Sequence, residues 1–76
     1  MKVAGVYENS NLFDKYTIIF NSGDALALSD HPNADNGWAR WILVDEYDEN
    51  NLGKQIEFNS LPDDVQDYVL TTINKN

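Results

Sequence analysis

The sequence predicts an α+β domain: a small antiparallel sheet of about four strands with one C-terminal helix packed on a face. Three observations carry that expectation. Leu61, Val65, Tyr68, Val69 and Ile73 recur at the spacing of one helix face. The stretch from Lys15 to Ser29 alternates on both sides of Asn21-Ser22-Gly23, as a β-hairpin does. An amphipathic helix cannot stand alone in water, and the strands supply the apolar surface it needs.

Residues 2–7 read as a first strand, with Val3, Gly5 and Tyr7 opposite Ala4 and Val6. Glu8 to Asp14 is a polar link in which Leu12 and Phe13 are expected to tuck against the core, with room for a short helical turn. In the hairpin, two registers compete. A two-residue turn at Ser22-Gly23 pairs Phe20 with Ala25 and Ile19 with Leu26. A three-residue turn with Gly23 in the left-handed region pairs Phe20 with Asp24 and Ile18 with Leu26. The second is favoured, because it gathers Tyr16, Ile18, Phe20, Leu26 and Leu28 on one face and leaves the alanines for the other.

Asp30 to Gly37 is a loop rich in turn formers. Trp38 to Val44 reads as a strand from its aromatic and branched content, and Asp45 to Asn51 as an acidic turn. A last short strand, Lys54 to Phe58, runs into the helix. Ser60 is the expected N-cap, with Asp63 as the acidic half of a capping box and Pro62 in the first turn. Asp63, Asp64 and Asp67 lie off the apolar face, near the positive end of the helix dipole. Asn74 to Asn76 are expected to fray.

With 76 residues, the chain is read as a single domain, 1–76. It has no cysteine, so disulfides and Cys-based zinc sites are excluded. No apolar run approaches the ~18 residues that span a bilayer, and the N-terminus lacks the pattern of a signal peptide. The expectation is a soluble protein of the cytoplasm. The formal net charge is −8, from 13 acidic against 5 basic residues. That charge disfavours nucleic acid and anionic membranes as direct partners. It serves solubility alone, or it complements a protein with a basic surface. Lys2, Lys15, Arg40, Lys54 and Lys75 are scattered singly and make no phosphate-binding cluster.

No catalytic residues, metal site or cofactor are assigned from the sequence. His31 is the only histidine, and it reads as a solvated loop residue. The acidic run from Asp45 fails as a calcium loop, with Tyr47 at the third position and Asn50 at the sixth. No second His, Cys or activated Ser completes a nucleophilic dyad or triad. The candidate partner-binding residues are Asp45, Glu46, Asp48 and Glu49 as a carboxylate surface, with Trp38 and Arg40 as contact residues. Asp63, Asp64 and Asp67 are candidates to extend that surface. On a strand, Trp38 and Arg40 face one way and Trp41 the other, so only one tryptophan points into the core, and Trp38 is the expected surface anchor.

The segments Lys15 to Asp24 and Leu52 to Val65 resemble small uncharacterised phage and prophage accessory proteins. Those combine a hairpin, a loop and a strand that runs into a Leu-Pro-acid-acid-Val helix. The resemblance implies a viral accessory origin, in a bacterial host cell, and carries over no catalytic residue. In general character the chain is similar to anti-CRISPR proteins, which are small, often acidic, and act by occupying a site. Effectors of that kind hold nucleic acid in basic channels, which a rigid domain bearing carboxylates can fill as a phosphate mimic. The expected function is a non-enzymatic inhibitor of a nucleic-acid-handling or defence protein. The alternatives are a structural or assembly module, as a homodimer through a sheet edge or the exposed tryptophan, and a small enzyme or metal-dependent binder.

Overall fold

The computed structural model describes residues 1–9, 14–47 and 52–75. The expectations for Leu12 and Phe13, for Asp48, Glu49, Asn50 and Asn51, and for Asn76 lie outside the described residues. Five strands form one antiparallel sheet: β1 (Val3–Glu8), β2 (Tyr16–Phe20), β3 (Ala25–Leu28), β4 (Ala39–Ile42) and β5 (Lys54–Gln55). Their order across the sheet is β4-β3-β2-β1-β5. One helix, α1 (Asp63–Asn74), closes the chain. The α+β reading holds, and each of the five strands falls within a stretch read as a strand from the sequence, apart from Glu8 at the end of β1.

The hairpin takes the three-residue turn. Ile18 pairs with Leu26 and Tyr16 with Leu28. The Phe20 amide donates to the Asp24 carbonyl at 2.9 Å, and the Gly23 amide donates to the Phe20 carbonyl at 2.9 Å. Gly23 sits at φ +94°, a conformation that any side chain makes costly. This register puts Tyr16, Ile18, Phe20, Leu26 and Leu28 on one face, and all five are buried. Leu61, Val65 and Val69 cover them from the helix side, with Val6 completing the core and Ile56, Phe58, Tyr68 and Ile73 packed at its margin. Removing this apolar surface from water holds helix and sheet together.

Ala25 and Ala27 are buried on the opposite face. Their cross-strand neighbours are longer: Ile19 and Ile42 flank Ala25, while Thr17 and Arg40 flank Ala27. Short side chains between tall ones are shielded without a second layer.

Three local expectations are corrected. In β1, the register shifts between Val3 and Gly5, so Val3 pairs with Phe20 while Gly5 pairs with Ile19. The extra residue at Ala4 inverts the alternation. Val3 therefore joins Val6 on the helix side, and Gly5 and Tyr7 take the other. Second, the last strand stops at Gln55, and Phe58–Ser60 is a 3-10 turn. Third, Ser60 is not the helix cap. Pro62 holds that position, with no side-chain cap hydrogen bond, and the capping box with Asp63 does not form. The reason is the turn: Ser60 spends its amide on the Glu57 carbonyl at 3.0 Å, while Leu61 is drawn into the core. Gln66 ties this junction instead, donating its side-chain amide to the Leu61 carbonyl at 2.8 Å. Asp63, Asp64 and Asp67 are exposed, as their place off the apolar face requires.

Candidate functional site

β4 is the edge of the sheet on which the candidate residues converge or part company. It is shorter than the sequence suggests, since Val44–Glu46 turns into a 3-10 helix. Alternation along β4 is as expected. Trp41 pairs with Leu26 on the helix side and stacks on Phe20, with ring centroids 5.3 Å apart and 19° between planes. Arg40 pairs with Ala27 on the open side.

Neither tryptophan is buried: Trp38 is 37% exposed and Trp41 41%. Trp41 is half covered because β4 lies at the rim of the face that α1 protects. Trp38 is fixed by polar contacts. Its amide donates to the Ser29 hydroxyl at 3.0 Å, and its indole N–H donates to Asp14 Oδ1 at 2.9 Å. The other Asp14 carboxylate oxygen pairs with the Arg40 guanidinium. Asp14 thus holds Trp38 and Arg40 together, and sequence reasoning missed it, because 24 and 26 residues separate the partners. The buried Ser29 was missed as well, because its partner lies across the loop, nine residues on. Its hydroxyl is spent on the Trp38 backbone, which makes it a tie between β3 and the start of β4.

The carboxylates of Asp45 and Glu46 sit at the other end of β4, beside the hairpin turn. The Val44 amide donates to Asp24 Oδ1 at 3.0 Å, and the Tyr47 hydroxyl donates to the Gly23 carbonyl at 2.7 Å. Asp45 and Glu46 are exposed, next to Leu43 at 52% and Val44 at 48% exposure. The helix acids do not join them. Asp64 faces the loop at the far end of β3 and β4, with its Oδ2 3.5 Å from His31 Nδ1. Asp67 shares a depression with Asn33 of that loop. The acidic surface is therefore divided between two ends of the domain.

A second depression lies between Lys15, Ser29, Asp30, His31, Gly37 and Trp38. Its bases already face acids: Lys15 Nζ lies 3.8 Å from Asp30 Oδ2, and His31 faces Asp64. Among the described residues, no group of three or more His, Cys, Asp or Glu side chains is placed to hold a metal ion. Nor is any helix of the described residues long and apolar enough to cross a membrane. Tyr16 is buried in β2, opposite Glu8 of β1. Burial raises its pKa, and the neighbouring Glu8 and Asp30 raise it further, as does a hydrogen bond to Glu8. A neutral phenol is what a buried strand position opposite Glu8 calls for.

No family model matches the chain, and no curated protein or solved structure is significantly similar to it.

Proposed function

We propose that the chain is a non-enzymatic, protein-binding inhibitor that docks its acidic end on a basic surface of a nucleic-acid-handling or defence protein. In this reading it is of phage or prophage origin and anti-CRISPR-like in character. One observation supports it most: Asp45 and Glu46 stand exposed directly beyond an edge strand, beside the exposed Leu43 and Val44. Apolar surface bordered by charge is how a protein-binding patch is built. The net charge of −8 steers such a patch toward cations and away from polyanions. The paired carboxylates can stand where phosphates of a nucleic acid would lie.

The test is capture from bacterial lysate at low and at high salt, with the wild type beside a D45K/E46K/D48K/E49K variant. The wild type is expected to retain a nucleic-acid-binding protein at low salt and lose it at high salt. The variant is expected to lose it while keeping its far-UV spectrum. Equal capture by the variant removes the mimicry reading. A second reading, an assembly module that pairs copies of itself, draws on the same open edge of β4. A monomer at every concentration in sedimentation removes that one.

A further inference from the structure

The outer side of β4 carries backbone groups that nothing among the described residues uses. Ser29 donates its amide to the Trp38 carbonyl at 3.0 Å, so the backbone of Trp38 turns toward β3. In an antiparallel ladder this direction alternates residue by residue. Arg40 and Ile42 therefore also bond to β3, and Ala39 and Trp41 turn their N–H and C=O groups outward. Val44 keeps the alternation, its amide pointing inward to Asp24. Leu43 would be the next outward residue, but the following turn consumes it. Its carbonyl accepts from the Glu46 amide at 2.9 Å, and its own amide faces Glu46 Oε2 at 3.4 Å. Two consecutive outward residues remain, each with one donor and one acceptor.

Sheets blunt such edges with proline, with an outward lysine or with a bulge. β4 has none of these. Its one charged side chain, Arg40, is drawn onto Asp14 on the open face, away from the edge. Exposed Trp41 flanks the open groups on the helix side, and Asp45 and Glu46 lie just past their C-terminal end.

We propose that β4 takes an extended, basic segment of a partner protein as a sixth strand. This rests on the reading of the chain as an acidic binding protein and specifies how the partner is held. Main-chain bonds to Ala39 and Trp41 supply the register. An apolar residue of the segment lies along the Trp41 ring, and a Lys or Arg beyond it reaches Asp45 and Glu46. Charge selects this occupant over a second copy. Two copies bring −8 against −8. The antiparallel register that uses all four open groups also sets Arg40 directly opposite the Arg40 of the other copy, a like-charge pair that opposes it.

The test is a titration of the isotopically labelled protein, followed by NMR. The probes are two synthetic peptides of about ten residues, a full strand length, one alternating valine and lysine and the other valine and glutamate. The Val/Lys peptide is expected to slow exchange of the Ala39 and Trp41 amides by about tenfold or more, with Lys54 and Gln55 unchanged. The Val/Glu peptide is expected to leave all four unchanged. A39P, which removes one outward donor at a position where an edge strand accepts proline, is expected to abolish the protection. Should A39P fail to fold, the two peptides compared on the wild type still decide the matter. Shifts at Asp45 and Glu46 without protection of Ala39 and Trp41 overturn strand addition and leave the acidic-docking reading standing. No response to the Val/Lys peptide at either place overturns both. Protection of Ala39 and Trp41 that rises with protein concentration in the absence of peptide makes a second copy the occupant and overturns the proposal.

Discussion

The two edges of this sheet end in opposite ways. β5 contributes only Lys54 and Gln55, both exposed, and then leaves the sheet. Ile56 makes one more bond, its amide to the Val6 carbonyl at 2.9 Å, and turns its side chain into the core margin, followed by Phe58. A lysine, a strand of two residues and a chain that dives inward leave little for another strand to add to. β4 runs for four residues and carries Trp41 on its flank, and no described residue bonds to its outward groups. The difference bears on where a further strand can join this sheet. Among the described residues, the protective devices lie at β5 and not at β4.

Three substitutions break or sharpen that contrast. Phe20 lies under Trp41 and is 1% exposed, so it joins the open edge to the core. F20A should cost about 3–5 kcal/mol in denaturant unfolding, the range for removing a buried aromatic ring. Trp41 fluorescence should shift to the red in the remaining folded protein. A loss below about 1 kcal/mol would mean that the edge is not braced through this ring.

At the closed edge, Gly53 has φ +96°, and a Cβ there would lie 2.3 Å from the Glu8 carbonyl oxygen. G53A should destabilise by about 1–3 kcal/mol, since neither the backbone angle nor the space accommodates it. Exchange of the Ile56 amide should quicken more than that of the Ile18 amide. Equal quickening would mean that β5 opens only with the whole sheet.

The smallest effect belongs to Asp14, which holds Trp38 and Arg40 on the open face. Arg40 is largely solvent-exposed, so the ion pair is screened, and D14N should cost about 1 kcal/mol or less. It should raise the mobility of Trp38 in fluorescence anisotropy and leave Trp41 unchanged. An equal rise for both would remove the separation of the two tryptophans into two faces.

The sequence and the structure agree most closely where short-range pattern decides. Gly23 selects the hairpin register, because only that register keeps five large apolar residues on one side. The helix face follows from its spacing, and its acids point outward because water solvates them. The candidate site was legible in part. Trp38, Arg40, Asp45 and Glu46 were visible as residue types on a strand and the turn after it. Their division between the two ends of β4 was not visible, and neither was the role of Asp14.

By itself, then, the sequence determined the α+β class, the hairpin register, the buried face of the helix and an acidic surface without cysteine chemistry. Each depends on periodicity or composition, which a chain carries in consecutive residues. The tertiary structure alone decided three further things. The bulge at Ala4 returned Val3 to the core side. The pull of Leu61 into the core moved the helix start from Ser60 to Pro62. The strand order placed β4 at one edge of the sheet and the two-residue β5 at the other. These depend on which distant segments meet, and the free energy of such a meeting belongs to the pair, not to either stretch read alone.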